Sequence, residues 1–548
     1  MGYVFFYFAV VAACLLWSAA FTAVAARTRP GWIRRLLAAV AVIVPPLAVA
    51  PWAWVTGWLA ALGFETNWFA PTLTAMIAAA IGGVWIAVAG LAPRAAPAAA
   101  TWPLVGLAAM FVVAKAVAAG TLLFIDNAVR AEARAARAEA VAVMQSIVPP
   151  PVPVDDDAVP LYRQVFERLA ADDQLAGEES PLADVAAADL SAPSVTDLLA
   201  RQAATLELLR RAADRPGYRF PRDWSRPRID MLLPEIQSMR QAARLLALAA
   251  RREAAVGEGA AALADVVRLH RMARHVAAEP IVISGLVGNA IDGIALETLA
   301  AVLPRITPRD AATLDEPALG DFVRGSISFD RQFLGEEAFG LAQFALLADG
   351  PAPREIAGGE EGWPTFVSAS NPLAVLFRCF LLPGDLAAYR RLMKEFQALA
   401  EQAAQPGVDA MAIHRRAEAI EQDLVETQPG IFTRLLAPTL GRVLDVQLRS
   451  RAAHRAAEVL LAASRARLAT GELPATADSL MPEWLLAVPA DPFREQGSLT
   501  VKAGDEAWLV YSVGPDGEDD GGPPPDGAEP AEGNDDVGLR LAVRPAPR

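Results

Sequence analysis

The pattern of apolar and polar positions changes character twice along the chain. Four long apolar runs come first, at residues 4–24, 36–62, 72–91 and 104–125. Each is close to the roughly 20 residues that cross a bilayer as a helix, so four transmembrane helices are predicted. Eight of the twelve tryptophans lie before residue 110, and Trp32, Trp52, Trp68 and Trp102 fall near run ends, where an interfacial aromatic belt would place them. Pro45, Pro46 and Pro51 are expected to kink the second run or make it re-entrant. Lys115 interrupts the fourth, either as a functional intramembrane cation or as a side chain that snorkels toward the interface.

From residue 126 the repeat becomes helical and amphipathic. Residues 126–147 read as a helix continuing out of the bilayer; the proline-rich stretch 149–153 and Asp155, Asp156 and Asp157 then form an extended spacer. Between 159 and 428 apolar positions recur every three to four residues, as in Ile236, Met239, Ala243, Leu246, Ala247 and Ala250. Gly257-Glu258-Gly259 separates that helix from one beginning at Leu263, and a third is expected over 281–303. A helical-hairpin array and an irregular α-bundle fit this texture equally. Residues 344–370 lose the period and are predicted as a loop, Asp385 is placed as an N-cap, and a long helix is predicted over 439–469, stopped by Gly471. Alternation of period two at 498–502, 507–513 and 537–543 then predicts three strands. The expected fold class is mainly α: four transmembrane helices (1–125), a stalk and linker (126–158), an extracytoplasmic α-helical array (159–436) and a small α+β module with a three-stranded antiparallel sheet (437–548).

Charge refines this picture. The net charge of −14 argues against a nucleic-acid partner. Arg27, Arg29, Arg34 and Arg35 follow the first run, whereas a cleaved secretory signal has its basic residues in front. The positive-inside rule puts that cluster in the cytoplasm, so after four spans the C-terminal part is expected outside, in the periplasm of a multi-pass inner-membrane protein. Arg130, Arg134 and Arg137 pull weakly the other way. Cys14 and Cys379, one in a span and one beyond, give no disulfide framework.

Candidate chemistry is sparse. His270 and His275 lie five apart and face different sides of a helix, and His414 and His454 stand alone, so all four read as satisfied or surface histidines. Ser284-Gly285 lacks a nucleophile-elbow context, and the adjacent Glu336 and Glu337 diverge on a helix. The loop after the second strand is different. Asp516, Glu518, Asp519 and Asp520 crowd between glycines with no Lys or Arg in 510–522. The opening approximates an EF-hand, but the twelfth position is Gly527 and Pro523, Pro524 and Pro525 bar a helical exit. The loop is read either as a calcium site, whose ion would offset the repulsion, or as a solvated acidic turn.

The order of Leu473-Pro474, Pro482-Glu483-Trp484-Leu485, Pro489, Asp491-Pro492-Phe493, Ser512-Val513-Gly514-Pro515-Asp516-Gly517 and Asp535-Asp536-Val537 resembles the C-terminal half of the type II secretion major pseudopilin. The resemblance implies a helix plus a small sheet closed around a structural calcium ion, with the Val513 carbonyl, Asp516 and one or both of Asp535 and Asp536 as ligands. The pseudopilin leader is not seen, so a processed pilus subunit is not expected. Residues 334–341, the 385–393 stretch and this module together also resemble uncharacterised membrane-anchored proteins of planctomycete-type bacteria. The combined expectation is a non-enzymatic envelope protein in contact with the lipid bilayer and with an envelope protein partner. A membrane-tethered hydrolase and a transport element around Lys115 are its rivals.

Overall fold

The computed structural model describes residues 101–543, apart from 173–174, 176–179, 181, 228–232, 350–377, 406, 428–429 and 525–532, together with scattered residues between 16 and 40. The apolar run at 72–91, and most of those at 4–24 and 36–62, lie outside the described residues. The fourth falls within α1 (Thr101–Ile147), which carries on without a break through the predicted stalk. Contacts divide the chain into two units. The first comprises Met1–Ala135, Ala345–Asp385 and Gln428–Gly430. In it Asp126, the first residue beyond the fourth apolar run, pairs with Arg130 at 2.8 Å and with the buried Arg378 at 3.1 Å.

The second unit holds most of the remaining helices and the sheet. α2 (Val159–Ala170), α3 (Pro193–Arg201) and α4 (Ala203–Ala213) precede three long helices, α5 (Glu235–Val256), α6 (Gly259–Ala277) and α7 (Val282–Val302). Gly257 ends α5 where the sequence predicted a break, and α7 begins within one residue of its predicted start. These three pack on one another, and α7 also meets the sheet and the long α12 (Ile431–Thr470). Among the described residues, 282–305 is the one stretch long and apolar enough to cross a membrane. More than half of its apolar window is buried against these neighbours. A helix that is apolar all round can serve as the centre of a soluble core.

α8 (Pro317–Arg324), α9 (Asp330–Asp349), α10 (Leu382–Ala404) and α11 (Ala410–Thr427) complete the helices, which make up 67% of the structure. Three sequence expectations are corrected here. Residues 344–349 continue α9, because Phe344, Ala345, Leu347 and Ala348 are buried and packing overrides the weak period. Asp385 sits inside the first turn of α10, which starts at Leu382, and does not cap it. α12 starts at Ile431, eight residues before the prediction, and runs through Pro438; its end after Thr470 is as expected. Gly471, at φ +89°, adopts the left-handed conformation that a side chain would disfavour.

β1 (Thr500–Ala503), β2 (Ala507–Ser512) and β3 (Val537–Ala542) form the predicted antiparallel meander in the order β1-β2-β3. Trp508 lies opposite Leu541 and Val510 opposite Leu539. All four are buried, and β2 and β3 both contact α12. The Trp508 indole donates to the Pro474 carbonyl at 3.0 Å, which ties the segment after α12 back over the sheet. The mean three-to-four spacing therefore builds the helices, and the period-two alternation supplies one apolar sheet face for α12 to cover.

Candidate functional site

The loop between β2 and β3 is organised by a residue before it. Asp491 is buried and accepts hydrogen bonds from the Phe493 amide at 2.9 Å, the Ser512 hydroxyl at 2.5 Å and the Val513 amide at 3.2 Å. It thus pins the end of β2 to the incoming chain. At Gly514 (φ +71°) a Cβ would lie 2.0 Å from the Asp535 carbonyl oxygen, so only glycine lets the two arms of the loop come this close. Asp516 then closes a turn by accepting from the Glu518 amide at 3.0 Å.

Two carboxylates of this loop meet cations from outside it. Asp535 meets Arg449 of α12 at 2.6 Å, and Arg449 also donates to the Asp535 carbonyl. Asp519 accepts from the Tyr511 hydroxyl at 2.8 Å and from Lys502 at 3.2 Å, contacts that hold its carboxyl below the usual range. Asp520 accepts from the Asp535 amide. Asp536 is different. One oxygen accepts from the Gly522 amide at 2.7 Å, while Oδ1 is buried without a partner. Burial, with the charges of Asp519 and Asp520 added, pushes its carboxyl up.

The four expected ligands are therefore distributed. Asp516 and Asp535 line a cleft on one side, Asp536 turns under Gly522, and Val513 is buried with its amide on Asp491. Asp535 and Asp536 are neighbours on extended chain, which sends successive side chains to opposite sides. Among the described residues, no three His, Cys, Asp or Glu side chains are grouped so as to hold a metal ion.

The cleft has a volume of about 890 Å³. One face of α11 contributes Met411, His414, Arg415 and Glu418, which recur at helical spacing; α12 contributes Asp445 and Arg449, and residues 493–496 and 515–517 close it. His414 Nδ1 lies 2.8 Å from Asp445 Oδ1, and that hydrogen bond raises the imidazole above its ordinary pKa against the effect of burial. Its Nε2 faces Glu418 at 3.4 Å. Sequence reading left His414 solitary, because its partner lies 31 residues away on another helix.

Two further clusters were invisible in the sequence. His270 Nδ1 meets Asp292 Oδ1 at 2.7 Å, and His454 Nε2 meets Asp292 Oδ2 at 2.6 Å. This buried group joins α6, α7 and α12, with the Phe322 ring beside both imidazoles. Burial would push the Asp292 carboxyl up, but the two imidazole hydrogen bonds hold it below the usual range. His275 belongs to a separate set, with the Tyr162 hydroxyl at 3.0 Å and the Arg215 carbonyl at 3.0 Å, and burial lowers it to about 4. Ser284 donates to Glu279, and Glu337 accepts from Gln397 at 2.8 Å. Comparison with protein-family models, with curated proteins and with solved structures finds no match to this chain.

Proposed function

We propose that the protein is a membrane-anchored scaffold of the cell envelope, held by four spans in the lipid bilayer, with its large C-terminal part in the periplasm. Its cleft between α11, α12 and the acidic loop receives an envelope protein partner. The observation that carries this reading is the lining of the cleft. Charges of both signs are presented on a rigid helical wall, and no Ser, Thr, Cys, Lys or Tyr is among its lining residues. Such a surface suits recognition of a charged polypeptide, where complementary charges select the partner and speed encounter. The membrane anchor rests on the apolar runs, the fourth of which falls within α1.

We also propose a structural calcium ion in the pseudopilin-like module. The specific support is Asp536, whose buried, unpartnered Oδ1 is the oxygen that would hold it. Backbone carbonyls and water would supply most of the remaining coordination, which calcium accepts. A membrane-tethered hydrolase remains the rival class, favoured by the oriented His414–Asp445 pair in an open cleft.

Two measurements test these readings. A photo-crosslinking side chain at Gln496 should trap one discrete envelope protein, and Arg449→Glu should abolish that adduct; no adduct, or one unaffected by Arg449→Glu, counts against the scaffold. For calcium, the full chain in detergent is melted with the ion and with chelator. Saturation at a hundredfold excess over Kd would add about 2.7 kcal/mol. An unmoved midpoint, or a shift that survives Asp536→Asn, refutes the site.

A further inference from the structure

Away from the cleft, the second unit buries a cluster of one arginine and two glutamates. Arg222, in the connector after α4, donates from Nε and Nη2 to Glu279 at 3.0–3.3 Å and also pairs with Glu235, the first residue of α5. The three side chains are 5%, 3% and 2% exposed, so water screens none of them. Among the described residues, Arg222 is the one cation paired with either carboxylate. Among the described residues, three more side chains from the connector, α7 and α9 approach the cluster without adding a charge to it. Tyr218 from the connector is held un-ionised by burial and by the two carboxylates. Ser284 of α7 donates to Glu279 at 3.2 Å, and Gln332 of α9 donates to the Glu279 backbone carbonyl at 3.1 Å. Arg331, also from α9, is exposed and donates to the Ala278 carbonyl, pairing with neither acid. Fully ionised, these three described side chains would together carry one uncompensated negative charge in a dry interior, an arrangement that is strongly disfavoured.

We infer that Glu235 and Glu279 form a proton-binding site, holding one proton between them in the folded protein. The proton comes from solvent and forms an O–H bond on a carboxylate oxygen, which leaves one carboxylate to neutralise Arg222. Glu235 Oε2 is buried, and no donor points at it. Glu279 is the carboxyl held toward its protonated form. Burial pushes its carboxyl above the ordinary 4.5, Arg222 pulls it back in part, and the Glu235 charge pushes it up again.

The site clamps three places at once: the start of α5, the α6–α7 turn and the first turn of α7. Above pH 4.5 the folded chain binds more protons here than the unfolded chain, so its stability must fall as pH rises through the folded value. The clamp is therefore tight in mild acid and loosens in alkali.

The test uses the full chain in detergent. Infrared spectra of wild type minus Glu279→Gln, and of wild type minus Glu235→Gln, should each show a protonated-carboxyl band at about pH 7. Glutamine mimics the protonated acid, so both variants should fold. Between about pH 6 and about pH 8 their folding constants should fall up to tenfold less per pH unit than the wild type's. A difference spectrum containing only ionised carboxylate overturns the inference. So does a variant with the wild-type pH slope, and so does failure of both variants to fold, since the neutral mimic should then be tolerated.

Discussion

Asp292 offers the sharpest test of how this core is held together. Asp292→Asn keeps the side-chain shape and removes the negative charge between His270 and His454. Both hydrogen bonds are short, at 2.7 and 2.6 Å, and Asp292 is 1% exposed, so water replaces neither. A hydrogen bond to a charged group is worth about 1.5–3 kcal/mol net, and breaking one partner of a buried ionic group costs about 3–5 kcal/mol. The substitution should therefore cost about 3–5 kcal/mol, which is roughly two to three and a half powers of ten in the folding equilibrium. Urea unfolding followed by far-ultraviolet circular dichroism reads this as a lower midpoint with unchanged slope. The pH dependence gives a second readout. The folded Asp292 carboxyl is held below its ordinary 3.8, so its contribution is whole above that value and disappears as pH falls through the lower folded value. Asp292→Asn should abolish that part of the acid limb. A loss below about 1 kcal/mol, or an acid limb identical to wild type, would show that the anion does not hold the three helices.

Further predictions follow from the same geometry. Asp491→Ala strands two backbone amides and a serine hydroxyl, and should cost about 3–5 kcal/mol and expose the loop to protease; a variant as stable as wild type would deny Asp491 its organising part. His414 should titrate above its ordinary 6.5 by NMR and return toward it in Asp445→Asn; an unchanged titration would remove Asp445 as the cause. Any stability that His414 supplies is present below 6.5 and lost as pH rises through its folded value. Glu253 accepts from Arg210 at 2.5 Å, yet burial and the Asp265 charge raise it to about 7. Stability should therefore fall as pH rises from 4.5 through about 7, and Glu253→Gln should flatten that slope; equal slopes would refute it.

Much of the local architecture can be read from the sequence because it depends on spacing along a single stretch. The break at Gly257, the stop at Gly471 and the three strands near 500, 510 and 540 are set by near neighbours, and each is found within a residue or two of its expected place. The errors fall where packing overrides pattern, as at Phe344, whose burial keeps α9 going, and at Ile431, where α12 begins early. In the acidic loop the crowding itself is visible in 510–522. Its relief by Lys502 and Arg449 is not, since the latter pair is 86 residues apart.

By itself, then, the sequence determined the long helices and the strands, their amphipathic faces and the helix ends marked by glycine, because helix and strand periods and glycine stereochemistry are local properties. Only the tertiary structure decided which charges are buried and what neutralises them. Asp292 joins histidines 22 and 162 residues away, and Arg222 meets Glu279 across 57. Electrostatic partnership depends on distance in space and on exclusion of water, and neither quantity is written in the order of residues along the chain.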